Sequence, residues 1–332
     1  MNYSGKNLQI QFLRGIGCLS VLLFHYLYRY NEIYRDINNS SIFIKKLGVI
    51  GVYIFLIIMG YYLVPKDKNT NPKKYVSSRL SKLYPPYLLC ITITYLFSKF
   101  LYLGGGREVS LFEYIQNIFL INGFIFTDYV DGAHWYITYV IVFILIMDIL
   151  LFYNLYNNYL TYYVWVILSV IANFLDSHYN NILTAELSLI LGGAYTSYVI
   201  IGITLRNIAD SKFSIKNNLL ILFLCSLSIL IINGKFSLII SIILSILIFL
   251  CSNRKIKVIE YFIPIIFLGD ISYVVYLIHQ NIGFMLLNNI CEKGNINQML
   301  AIILVSSIVI ILSLIINSLI NNLSKRIKLF LE

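Results

Sequence analysis

The stretch LQIQFLRGIGCLSVLLFHYLY (8–28) decides how this chain is read. It is apolar for long enough to cross a bilayer as a helix. Yet it holds Arg14 and His25, and an ionisable side chain inside a membrane span is costly enough to mark a functional site by default. The two are eleven residues apart, close to three helical turns. They therefore share one face, separated by roughly 16 Å along the axis. A fixed cation at one depth and a titratable imidazole at another make a candidate active-site line. The plainer readings are that Arg14 snorkels to the inner headgroups and that His25 hydrogen-bonds between helices.

Outward from this stretch the pattern repeats. The chain has 332 residues, of which 59% are hydrophobic and 12% charged, and its mean hydropathy is +0.80. Repeated apolar runs of about 20 residues predict transmembrane helices, and the short alternating segments of a β-barrel are absent. The expected fold is all-α, a polytopic transmembrane helical bundle forming one domain over 1–332. Ten spans are expected, near 8–28, 47–64, 84–103, 134–153, 161–175, 186–205, 218–233, 236–251, 262–289 and 298–320. The amphipathic segment 111–125 reads as a re-entrant or interfacial piece on the outer side. An even count puts both termini on one side. Of the 25 Lys and Arg, the segments on that side hold seventeen and the opposite segments eight. This predicts that both termini are cytoplasmic, with Arg14 near the inner end of the first span and His25 toward the outer leaflet.

The same rule accounts for the net charge of +10. Nucleic-acid binding is not expected, since no basic helix with interleaved aromatics stands clear of a span. Cys18, Cys90, Cys225, Cys251 and Cys291 form neither a CxxC nor a metal spacing, so no disulfide framework and no metal are expected. The N-terminal run lacks a small-residue cleavage site and reads as a retained first helix.

Other polar groups stand out against this background. Arg79 and Lys82 lie three apart at the cytoplasmic end of the third span, a spacing that suits a phosphate-bearing ligand. They also continue the basic loop KDKNTNPKK (66–74), so ordinary positive-inside charge competes. His279, beside Gln280 and Asn281, is mid-span and expected to face the bundle or a cavity. Ser272, Tyr273 and Tyr276 offer hydroxyls on the same helix; His279 and Tyr273 are candidate substrate contacts, with interhelical hydrogen bonding and aromatic packing as the plainer readings. His134 and Trp135 open the fourth span, where Trp is ordinary belt chemistry and also a surface on which a sugar stacks. Asp128 and Asp131 read as solvated loop charges, with sugar hydroxyls as the alternative partner. Asp148 is expected to pair with a cation of the third helix, and His178 to be solvated. Gly104, Gly105 and Gly106 make a turn that is not a phosphate loop, because no Lys-Ser/Thr opens a helix behind it.

Five of these segments together resemble the acyltransferase-3 family: LRGIGCLSVLLFHY (13–26) with its Arg, ten residues, then His; GVYIFLIIMGYYL (51–63); SSRLSKLYPPYLL (77–89); HWYITYVIVF (134–143); and LGDISYVVYLIHQNI (268–282). The chain departs from the family pattern at Tyr53, Met59, Lys82 and Val140. The resemblance implies a bacterial cytoplasmic (inner) membrane O-acyltransferase that moves an acetyl or short acyl group from a cytosolic acyl-coenzyme A (acetyl-CoA) to a hydroxyl of a cell-surface carbohydrate. It implies His25 as the catalytic histidine, Arg14 as its motif partner, and Arg79 with Lys82 as the third-helix basic pair. Acyl-CoA would be a donor substrate and not a permanently bound cofactor. The partners would be that donor, a carbohydrate acceptor and membrane lipids. The residue chemistry agrees: transfer from a thioester needs a base or nucleophile that works near neutral pH, and His suits either role. The rival class is a polytopic transporter or flippase, which would show related halves and helices broken at matching positions. No such symmetry is visible in the sequence.

Overall fold

The computed structural model describes residues 6–35, 41–65, 70–100, 105–294 and 296–331, with side chains described except at 292–293 and 323–331. Lys66, Lys68 and Gly104, singled out above, lie outside the described residues, as do the side chains of Lys293, Lys325, Arg326 and Lys328. The elements in chain order are α1 (Leu8–Phe24), a π-helical turn (His25–Arg29), α2 (Tyr30–Tyr34), α3 (Ile42–Leu63), α4 (Pro72–Phe100), α5 (Leu111–Ile118), α6 (Trp135–Phe152), α7 (Tyr159–Tyr179), α8 (Ile182–Ile190), α9 (Thr196–Ala209), α10 (Ile215–Asn253), α11 (Ile263–Asn288) and α12 (Gln298–Leu331). No strand occurs among the described residues. The fold is an all-α polytopic bundle.

Among the described residues eight helical stretches are long and apolar enough to cross a membrane, against ten expected spans. The difference has two sources. α10 counts once although Gly234 (φ 81°, ψ 176°) breaks it, and its two arms coincide with the expected spans 218–233 and 236–251. α4 is 29 residues long, but its basic first turns and Pro85–Pro86 make it less apolar than the other long helices. The expected span 186–205 is also interrupted. A 3-10 turn (Gly193–Tyr195) with left-handed Gly192 and Gly193 separates α8 from α9. α5 opens with a reciprocal cap between Ser110 and Glu113, and those hydrogen bonds hold the Glu113 carboxyl below the usual carboxylate range. It turns Leu111, Phe112, Ile115 and Phe119 outward and buries Gln116 and Asn117. This polar-inward helix fits an interfacial piece rather than a span.

Packing divides the chain into two compact units. One comprises Met1–Leu13, Val52–Arg79 and Tyr139–Ile263; the other comprises Arg14–Gly51, Leu80–Thr138 and Pro264–Glu332. Lipid gives helices no hydrophobic reason to associate, so close approach depends on small residues and on interhelical hydrogen bonds. In the first unit α3 meets α9 through Gly60 and Gly202. A methyl group on either would collide with a backbone carbonyl, that of Val199 or of Ile57. Tyr53 stacks on Tyr198 at 4.0 Å and donates to Ser237 Oγ at 2.9 Å. The break before α9 is closed internally: the Leu191 carbonyl accepts from Trp165 Nε1 at 2.9 Å and from Thr196 Oγ1 at 2.8 Å.

In the second unit α1 packs on α11 at Gly15, whose Cα faces the Ile265 carbonyl oxygen. Gly15→Ala has no flexible side chain to displace, so the two backbones must part. Overpacking of this kind costs about 1–3 kcal/mol. The expected result is a lower thermal midpoint of the purified protein in detergent, and a midpoint equal to wild type would show that the two helices are not in contact here.

Candidate active site

The second unit brings together most of the polar groups singled out in the sequence. α1 is regular from Leu8 to Phe24, and the π-helical turn begins at His25 itself. π turns inside α-helices are rare and gather at functional sites. The wider turn resets the helical register, after which Tyr26 and Tyr30 are completely buried. His25 is half-buried, and its ring stands edge-on to His279 of α11, with centroids 4.8 Å apart and planes at 71°. His25 Nδ1 is buried with no hydrogen-bond partner among the described residues.

α1 is tied to α11 at two further levels. Arg14 Nη2 donates to Ser272 Oγ at 3.0 Å, and Ser272 Oγ donates to the Gly269 carbonyl at 2.8 Å. One helical turn nearer Phe24, Cys18 is buried. At the other end, Tyr26 O–H donates to the His279 carbonyl at 2.8 Å, and its ring lies over Gly283, where any Cβ would collide with it. Arg14 is therefore half-buried and bonded into the helix pair, which goes beyond snorkelling to headgroups.

The loop before α6 contributes what the sequence reading missed. Asp131, expected as a solvated loop charge, is fully buried. Its Oδ1 accepts from the Ala133 amide at 2.8 Å, capping the short turn Gly132–His134. Its Oδ2 accepts from the Asn281 amide at 2.8 Å, in the second half of α11. On that same helical rung the Leu277 carbonyl lies 2.8 Å from His134 Nε2. Asp131 and His134 thus grip the two ends of one i, i−4 pair of α11. Gly132 between them lies against the Gln280 side-chain amide, 2.6 Å from where a Cβ would sit, so a larger residue there would have to displace that amide. Tyr276 O–H donates to the Ala133 carbonyl. Asn281 completes the clamp: its side chain accepts from the Arg107 amide at 2.6 Å and donates to the carbonyls of Arg107 (3.1 Å) and Val130 (3.0 Å). The one sequence signal for this was an Asp placed as an N-cap just before an apolar run, and it does not say what the second carboxylate oxygen touches.

These features sit on a chain whose residues 7–318 match the family model described as an acyltransferase domain, acyltransferase-3. The chain belongs to the acyltransferase-3 family. No curated protein and no solved structure is significantly similar to it. As an acyltransferase-3 protein with this helical content, it is a multi-pass membrane acyltransferase.

The remaining candidates of this acyltransferase fall into distinct places. Arg79, on α4 in the first unit, donates from Nη2 to the carbonyls of Tyr62 (2.5 Å) and Leu63 (3.4 Å) and lies over the Tyr75 ring at 5.1 Å. A cation on the last carbonyls of a helix satisfies groups that have no intrahelical donor and opposes the helix dipole. Arg79 therefore has a structural duty at the end of α3. Lys82, in the second unit, is exposed and has no ion-pair partner among the described residues. Tyr273 donates to the Leu83 carbonyl at 2.9 Å. It covers backbone next to Ser81 and Lys82, whose carbonyls lose their amide donors to Pro85 and Pro86, so its hydroxyl is already bonded. His134 is buried with its ring edge-on to Tyr87 at 5.5 Å. Trp135 is half-buried and meets the Tyr136 ring edge-on at 6.0 Å.

In the first unit, Asp148 does not pair with a cation of α4 as expected. Its Oδ1 is buried without a hydrogen bond, and no Lys or Arg among the described residues is within ion-pair range. Asp128, as expected of a loop charge, is exposed, and it pairs with Arg107 at 3.2 Å. His178 is exposed. All five cysteines are buried and free. No group of three or more His, Cys, Asp or Glu among the described residues has metal-binding geometry.

Proposed function

We propose that this acyltransferase moves an acetyl or other short acyl group from acyl-CoA to a hydroxyl of a cell-surface carbohydrate, from the bacterial cytoplasmic membrane. The observation that carries this reading is the half-buried His25 imidazole at the mouth of a π turn, on the helix that also carries the bonded Arg14. His25 is the base or the transient acyl carrier, and Arg14 its electrostatic partner or donor contact. Lys82, exposed and uncommitted, and Arg79, beyond its duty on α3, are the anchors for donor phosphates. Trp135 and His134 are the acceptor-side contacts. The bias of seventeen cationic residues against eight supports ten crossings with both termini in the cytoplasm. The donor phosphates then stay at the inner face while the pantetheine arm carries the thioester inward toward His25, so that the donor never crosses.

The transporter alternative draws on the broken stretch between α8 and α9. There, however, the freed Leu191 carbonyl is already taken by Trp165 and Thr196, which leaves it unavailable to an ion or substrate. The test uses membranes containing the full chain, acetyl-CoA labelled in the acetyl group, and surface glycan from the same cells. Label should appear in the glycan and persist when a protonophore collapses the ion gradients. Transfer that requires the gradient, or glycan that crosses unlabelled, would favour the transporter.

A further inference from the structure

We infer that His279 is a second catalytic residue, the general base that takes the proton of the acceptor hydroxyl while the acyl group rides on His25. This rests on the acyl-transfer reading above and divides the labour within it.

The argument starts from hydrogen-bond chemistry. His279 Nδ1 lies 2.7 Å from the Tyr276 carbonyl oxygen. A carbonyl only accepts, so Nδ1 carries the hydrogen, and in the neutral ring Nε2 holds the lone pair. That Nε2 is buried and has no donor among the described residues, while the residue as a whole is 1% exposed. Burying a polar atom unpaired costs free energy, and here the bare atom belongs to the ring standing 4.8 Å from His25. The structural duties of this position are met by other atoms. Nδ1 holds Tyr276, and the backbone carbonyl holds Tyr26. The lone pair has no structural work. His134 is fixed in the same way, with Nε2–H on the Leu277 carbonyl and a bare Nδ1, but its ring packs against Tyr87 and no contact joins it to His25. The titratable groups around His279 are His25, His134, Tyr276 and Asp131.

Two-step transfer needs such a group. In the first step a neutral His25 nitrogen attacks the thioester carbonyl. The N–C bond forms, the C–S bond breaks, and coenzyme A leaves as its thiolate. The acylated ring now has no lone pair with which to accept a proton. In the second step the acceptor oxygen bonds to the acyl carbon, the C–N bond breaks, and neutral His25 returns. The hydroxyl proton goes to His279 Nε2 and from there to the thiolate made in the first step, which restores both rings and yields the ester and free coenzyme A.

The two steps are separable. Exchange of labelled coenzyme A into unlabelled acyl-CoA, without acceptor, requires only the first; transfer to glycan requires both. The first variant is His279→Asn, whose amide nitrogen overlays Nδ1 and keeps the bond to Tyr276 but puts nothing at Nε2. Transfer should fall at least about 100-fold while exchange stays within about threefold of wild type. His279→Gln, which fills the Nε2 position with a group that cannot take a proton, should behave the same way and serves if the Asn variant is not recovered at normal membrane levels. Transfer by both variants near the wild-type rate overturns the inference, and so does loss of exchange together with transfer, or wild-type protein that shows no exchange. If His25→Ala still transfers, the acyl-transfer role of His25 fails first, whatever His279 does.

Discussion

Membranes carrying His25→Ala are expected to transfer acyl groups about 10²- to 10⁴-fold more slowly than membranes with the same amount of wild-type protein. The range is what a positioned acid–base or nucleophilic side chain contributes. The loss should appear in kcat and not only as a weaker KM for acyl-CoA, because in the proposed reaction the imidazole acts at the reacting carbon and not on the donor's distant phosphates. The fold should survive. The His25 ring makes no hydrogen bond among the described residues and the residue is only half-buried, while the neighbouring Tyr26 and Tyr30 rings are fully buried and hold the π turn in place. A normal thermal midpoint with lost transfer is therefore the expected pair of results. Undiminished transfer would remove His25 from the reaction.

The second large effect is on stability. Asp131→Ala removes a buried carboxylate that accepts two backbone amides, one in its own turn and one in the second half of α11. Hydrogen bonds to a charged group contribute about 1.5–3 kcal/mol each, partly offset because the mutant no longer has to bury a carboxylate. A net loss of about 3 kcal/mol follows. For 332 residues at about 2.1 cal/mol/K each, that is a fall of roughly 4 °C in the thermal midpoint measured in detergent. Asp131→Asn keeps one accepting oxygen and turns an amide donor toward an amide donor, so it should lie between Ala and wild type. Transfer should fall as well, since the same clamp holds α11 at the level of His279. A midpoint unchanged in Asp131→Ala would mean that this turn does not hold the helix.

The two effects separate the roles of neighbouring groups. In the proposed reaction His25 acts on the substrate and barely on the fold, whereas Asp131 acts on the fold and reaches the chemistry through α11. Gly15→Ala belongs with Asp131, because a Cβ there pushes against the backbone of α11 within reach of the Arg14–Ser272 bond.

The local pattern of the sequence determined much of this. Apolar runs of span length fixed an all-helical membrane protein, because no other arrangement of those segments satisfies the backbone in lipid. The Arg14–His25 spacing placed both groups on one helix, and the mid-span position of His279 marked it as facing inward, since such groups are too costly to leave in hydrocarbon. What depends on contact across the chain was not legible. The π turn at His25 is a register change held by packing around Tyr26 and Tyr30, and no residue type encodes it. Asp131 looked like any loop carboxylate until the amide of Asn281, 150 residues away, gave it a buried partner. The sequence offered Arg79 only as a phosphate anchor or a positive-inside charge, and the carbonyls it holds at the end of α3 appear only in the fold. The tautomer of His279 was likewise set by one carbonyl oxygen. Periodicity and cost of burial are properties of a segment and can be read along it. Which donor meets which acceptor belongs to the assembled structure, and here that decided which polar groups were left unpaired.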